Sequence, residues 1–140
     1  MSAWPTGCPQ TGQQATRTRS VTSRDIELFT AMTGDRNPLH YDEQAAANSP
    51  FGEIIVQGGI TSGILNAIVA EDLPGPGSVF LETHWRFIAP VRPGDEITGV
   101  VEVVEAREDK PITRLRTVVT RQDGIVVLEG TAVCFTTPMA

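Results

Sequence analysis

Lysine is almost missing from this chain: Lys110 is the one lysine among 11 basic residues, which face 17 acidic ones for a formal net charge of −6. A groove for nucleic acid is excluded on that ground, because tracking a polyanion needs a basic stripe. An anionic ligand would rest on a few local arginines. Cysteine is scarce as well. Cys8 and Cys134 have neither metal-ligand spacing nor the pattern of a disulfide framework, and Cys134 reads as a small buried apolar residue. No apolar run approaches the roughly 20 residues of a membrane-spanning helix. The first thirty residues show no charged start followed by an apolar stretch. The expectation is a soluble, unexported, cytoplasmic protein with no membrane contact. Its 140 residues suffice for one sizeable core and not two.

The first fifteen residues hold Pro5, Gly7, Pro9 and Gly12 with little apolar content, so residues 1–15 are expected to be a flexible tail. Residues 16–137 are expected to form a single domain. It begins with a short strand over Thr16 to Val21. Thr22 with Asp25 resembles a capping box opening a helix that turns Ile26, Phe29 and Thr30 inward and stops at Gly34. Asp42 is a plausible N-cap for a second short helix through Gln44 and Ala47.

From Gly59 to Ala70, Ile60, Ile64, Ala67 and Ile68 share one stripe while Leu65 and Val69 fall outside it. A helix apolar nearly all round is expected to be buried. From Val79 the period changes to two: Val79, Leu81, Thr83, Trp85 and Phe87 alternate with Phe80, Glu82, His84, Arg86 and Ile88, as in a strand packed on one face. Pro93-Gly94 turns into a strand from Glu96 to Glu105, and Asp123-Gly124 is a hairpin turn between strands Ile112 to Arg121 and Ile125 to Thr136. Four long strands in succession after one apolar helix point to an α+β fold, a curved antiparallel sheet wrapped around that central helix.

The chemistry concentrates in Gly34-Asp35-Arg36-Asn37-Pro38-Leu39-His40. Pro38 keeps Asn37 out of the α region, so the backbone is bent and stiff enough to aim two side chains at one point. His40 is suited to accept and return a proton near neutrality, and Asp35 to orient a water or supply the second proton-transfer group. Equally, Asp35 can cap a turn and His40 can be a satisfied structural histidine. The second element is Gln57-Gly58-Gly59 at the start of the apolar helix. Its first N–H groups are unclaimed by any Asp or Glu in the first turn, and can receive a developing oxyanion. The competing explanation is that both glycines merely permit a tight turn and close helix–sheet contact.

At these residues the chain resembles the MaoC-like dehydratases, specifically the (R)-specific enoyl-CoA hydratases. The resemblance rests on Phe29-Thr30-Ala31-Met32-Thr33, then GDRNPLHYD, Phe51-Gly52, IVQGG opening a helix, and Pro90-Val-Arg-Pro-Gly-Asp95. It implies a hot-dog fold, pairing of two subunits, a catalytic dyad of Asp35 and His40, an oxyanion donor at the Gly58 N–H, and Asn37 supporting the dyad loop. It implies an acyl-CoA or acyl-carrier-protein thioester as substrate, with no metal or redox cofactor. Many members carry histidine where this chain has Gln57, a departure that bears on the acyl pocket.

Asn37, Gln57, Gly59, Ser62 and Asn66 are further candidates for contact with substrate, the last two being polar side chains on a helix expected to be buried. Arg86, Arg92, Arg114 and Arg116 are candidates for coenzyme A phosphates. His84 reads as a surface or interface residue. Two other readings compete: a thioesterase, disfavoured because the apolar helix has no acid before Glu71 and Asp72, and a non-catalytic acyl-binding subunit, which has no chemical reason to keep Asp35 and His40 together.

Overall fold

Between Ser78 and Thr136 segments rich in β-branched residues form four long strands, joined by a shorter one near the N-terminus, in a computed structural model that describes residues 3, 4 and 7–139. The strands are β1 (Gln14–Ser20), β2 (Ser78–Phe87), β3 (Glu96–Ala106), β4 (Ile112–Arg121) and β5 (Val126–Thr136), in one antiparallel sheet ordered β1-β3-β4-β5-β2. Three α-helices precede β2: α1 (Ser23–Thr33), α2 (Glu43–Ala47) and α3 (Gly58–Glu71), with a turn of 3-10 helix at Pro38–His40. The expected α+β hot-dog arrangement, a curved antiparallel sheet around a central helix, is what forms.

The helix ends follow their local chemistry. Asp25 accepts the Thr22 N–H at 2.8 Å, the return half of a capping box, and Gly34 ends α1 at φ 83°, where a side chain would be strained. Asp42 caps α2 by accepting from Gln44 N and Ala45 N at 3.0 and 3.1 Å.

Core packing centres on α3. Its Leu65 and Ile68 are fully buried against Ile97, Val101, Leu115, Val119 and Leu128 from the sheet. Gly99 in β3 lets the helix lie close: a Cβ there would stand 3.0 Å from Ile64 Cγ2 and 3.1 Å from Ile68 Cδ1. Burial also pushes the Cys134 thiol up to about 12, so that cysteine is an apolar core residue. Among the described residues no helix is long and apolar enough to cross a membrane.

Two expectations need correction. Residues 1, 2, 5 and 6 of the tail, and Ala140, lie outside the described residues. The remainder of 1–15 is tied down rather than loose: Trp4 is buried with its indole N–H donating to the Arg107 carbonyl. Gly12 N donates to Val103 O at 2.8 Å, and Val103 N to Gln13 O at 2.9 Å. One buried tryptophan with a satisfied indole N–H, together with backbone pairing to β3, anchors a segment of low average apolar content.

The alternation in β2 also breaks. Its pairing with β5 shifts between Phe80 and Glu82, leaving Leu81 as an extra residue. Phe80 and Trp85 therefore share the inner side despite an odd spacing, with ring centroids 5.6 Å apart, edge to face. Val79, Leu81 and Phe87 are 52, 56 and 58% exposed on this edge strand.

If α3 is the pillar of the core, Leu65→Ala will lower the unfolding free energy by about 2–5 kcal/mol in urea melts. A loss under about 1 kcal/mol would contradict that placement.

Candidate active site

The loop from Asp35 to His40 starts where α1 stops. Asp35 is fixed through its backbone, its N–H reaching Thr33 Oγ1 at 3.2 Å and its carbonyl accepting from Thr30 Oγ1 at 2.7 Å. Asp35 Oδ1 accepts the Asn37 N–H at 3.1 Å, and Asn37 Oδ1 in turn accepts the Leu39 N–H at 3.1 Å. These two side-chain turns and Pro38 hold the chain through to His40.

His40 is 8% exposed, and its Nδ1 lies 2.7 Å from the carbonyl of Ile55. A carbonyl only accepts, so Nδ1 carries the proton and the neutral ring leaves Nε2 as its acceptor. Nε2 stands 3.9 Å from Asp35 Oδ2, whose side chain is 38% exposed. A water about 2.8 Å from each atom would see them at roughly 90°, near the angle between its own two O–H bonds. One water can therefore donate to both.

Ile55 belongs to the extended segment that runs into α3. Val56 N donates to Val91 O at 2.8 Å, and Ile55 N to Leu39 O at 3.3 Å. The helix then opens at Gly58 with no side-chain cap and no acid in its first turn. Among the described residues no protein acceptor takes the Gly58 N–H, which has the positive end of α3 behind it.

A pocket of about 320 Å³ brings these pieces together, with Asn37, Leu39, His40, Gly58, Thr61 and Phe87 in its wall. Asp35 is outside that wall and meets the pocket through His40. A wider cleft of about 820 Å³ also has His40 in its wall. Its wall carries Glu27, Glu43, Glu53 and Asp95 against one guanidinium, Arg92, already paired with Glu53 at 2.6 Å. That charge disfavours a polyphosphate there.

Other candidates from the sequence fall elsewhere. Gln57 is 1% exposed and faces the protein interior, donating through Nε2 to Ile26 O and Thr30 Oγ1, both at 3.2 Å. Gly59 is outside the pocket wall and serves packing: a Cβ on it would sit 2.2 Å from Phe29 Cζ. Ser62 donates back to Gly59 O at 3.4 Å, and Asn66 is exposed. Arg114 and Arg116 alternate with buried Leu115 and so lie on the sheet face away from α3. His84 is exposed, 3.6 Å from Glu82. Among the described residues no three His, Cys, Asp or Glu side chains cluster as metal ligands.

Thr61 and Phe87 were missed. Thr61 stands one turn after Gly58 on the same helix face, a spacing legible in advance. Phe87 sits at the end of β2, in step with Trp85, and its place in the wall depends on contacts with the loop and α3 that are distant in sequence.

The family model for a MaoC-like domain matches residues 6–126. The chain belongs to that family. An (R)-specific enoyl-CoA hydratase of Aeromonas caviae is 37% identical over 124 residues, 89% of this chain and 92% of the relative. A 3-hydroxybutyryl-CoA dehydratase of Methylorubrum extorquens is 40% identical over 81% of this chain and 72% of its own. Among solved structures, an (R)-hydratase from A. caviae superposes with a TM-score of 0.87 at 36% identity, covering 92% of this chain and 98% of that one. The family's likeness thus spans fold and site loop alike.

Because Gly59 is held by contact with Phe29, Gly59→Ala should destabilise the protein by about 1–2 kcal/mol net of its helix-propensity gain. Phe29→Leu in the same chain should recover part of the loss in a double-mutant cycle. An unchanged melting temperature for Gly59→Ala would contradict the packing role.

Proposed function

We propose that the protein hydrates trans-2-enoyl-CoA to (R)-3-hydroxyacyl-CoA, and catalyses the reverse dehydration, through an Asp35/His40 dyad and the Gly58 N–H. One observation carries the reading: His40 and Gly58 open onto the same pocket, with Asp35 Oδ2 3.9 Å from the His40 nitrogen left free to accept a proton. The names of the relatives, (R)-specific enoyl-CoA hydratase and 3-hydroxybutyryl-CoA dehydratase, support the same chemistry.

In this mechanism the thioester carbonyl accepts a hydrogen bond from Gly58 N–H, and electron density leaves C3. A water held between Asp35 and His40 forms the new C3–O bond as it loses a proton to Nε2. The enolate charge collects on the carbonyl oxygen, where the α3 N-terminus stabilises it. A proton returned to C2 from the same face completes a syn addition. Neither a metal nor a redox cofactor enters this sequence. Asn37 acts through the loop it braces, whereas Ser62 and Asn66 lack the placement for a direct role.

Thioester hydrolysis finds less support. α3 carries no acid before Glu71, and Asp72 beyond its end is bound to Arg17 at 2.6 Å. The uncovered edge of β2, with Val79, Leu81 and Phe87 exposed, favours a homodimer in which a second copy covers that edge. We place the protein in the cytoplasm. Free coenzyme A and acyl carrier protein present the same thioester to the dyad, and assays with both carriers separate them.

Mixed with crotonyl-CoA, the protein should abolish the conjugated enoyl absorbance without releasing thiol; thiol release would instead indicate hydrolysis. Asp35→Asn and His40→Ala should each remain folded and lose at least about a hundredfold in kcat. Near-normal turnover in both variants would remove the dyad.

A further inference from the structure

Thr30, on the last turn of α1, is buried although its hydroxyl is polar, and it lies outside the pocket wall. A threonine hydroxyl gives one hydrogen bond and accepts two. Around Thr30 Oγ1 stand the Asp35 carbonyl at 2.7 Å, Gln57 Nε2 at 3.2 Å and the Tyr41 hydroxyl. The carbonyl only accepts, so the proton of Thr30 goes to Asp35. The orientation of Gln57 is likewise forced: its Nε2 is 3.2 Å from the Ile26 carbonyl, again an acceptor only, so the amide NH2 faces inward and donates to Thr30. With the Thr30 proton on Asp35, the single Tyr41 proton goes to Thr30, and the Ile26 carbonyl 3.4 Å away is its longer alternative acceptor. All three capacities of one hydroxyl are used.

The three partners sit at the three functional pieces. Asp35 is the proposed dyad acid itself, Tyr41 follows His40, and Gln57 precedes Gly58. We propose that Thr30 is a positioning residue, a hub that holds the Asp35 carboxylate, the His40 ring and the Gly58 N–H in register; this rests on the hydratase reading above. Gln57 Oε1 supports it. That atom is buried with no partner among the described residues, a cost that a leucine or methionine of similar volume would avoid. What Gln57 contributes here is the pair of hydrogen bonds its NH2 donates.

The test compares the unsubstituted protein with Thr30→Val, which keeps the shape without the hydroxyl, and Thr30→Ser, which keeps the hydroxyl. Two readouts are taken: steady-state hydration of crotonyl-CoA, and amide hydrogen exchange across residues 35–41. Thr30→Val should lower kcat about a hundredfold with KM within about twofold, as expected for a misplacement outside the pocket. Exchange in the loop should accelerate while β3 to β5 stay protected. Thr30→Ser should keep kcat within about threefold of the parent. Normal kcat in Thr30→Val, or Thr30→Ser as impaired as Thr30→Val, overturns the hub. Should Thr30→Val not fold, Tyr41→Phe removes one arm at a half-exposed position and should lower kcat about tenfold without changing KM; unchanged kcat overturns the proposal. An unsubstituted protein with no hydratase activity overturns the functional reading and this inference with it, whereas a failed hub with an active parent overturns the inference alone.

Discussion

The hydrogen bond from His40 Nδ1 to the Ile55 carbonyl is the constraint on which the site depends. An imidazole in solution exchanges between two neutral tautomers, and only one leaves Nε2 free to take a proton. The carbonyl selects that tautomer and fixes the ring plane, because it has no proton of its own to give. Asp35 is thereby left to face the accepting nitrogen at 3.9 Å, a spacing suited to a shared water rather than to direct contact.

The same few residues connect this constraint to the fold. Ile55 and Val56 pass between Leu39 and Val91, and two positions later the chain enters α3. A segment that orients the histidine therefore also sets where the first free N–H groups of the central helix point. Burial holds it in place: Leu65 and Ile68 of α3 and Leu115 and Val119 of the sheet are fully removed from water, and Gly99 lets helix and strand approach. Apolar packing fixes the helix, the helix fixes the Gly58 N–H, and the extended segment leading into it fixes the His40 ring. The wrapped helix is thus both the core of the domain and one wall of its pocket.

Much of this was legible in the residues. The capping box at Thr22, the stop at Gly34, the cap at Asp42 and the hairpin at Asp123-Gly124 are local signals, read within a few positions of where they act. The bent loop from Asp35 to His40 was legible because Pro38 restricts its neighbours, and the free helix start because no acid follows Gly58. What escaped depends on contacts distant in sequence. Trp4 finds a burial site about a hundred residues away at Arg107, which no property of the first fifteen residues announces. Leu81 is extra only relative to its partner strand, and that slip is what brings Phe80 to the same side as Trp85. Asn66 looked buried from the helix it sits on, yet it faces outward, since an apolar helix still has one side toward solvent. Gln57 was expected near substrate and instead donates into the space behind the loop.

Nitrogen-15 NMR of the His40 ring, assigned by comparison with a His84→Gln variant, tests the account at its root. At a pH where the ring is neutral, its one proton is expected on Nδ1, with Nε2 unprotonated, in the ligand-free protein. A ring carrying its proton on Nε2 would contradict it, because that nitrogen could then accept nothing from a water poised beside Asp35.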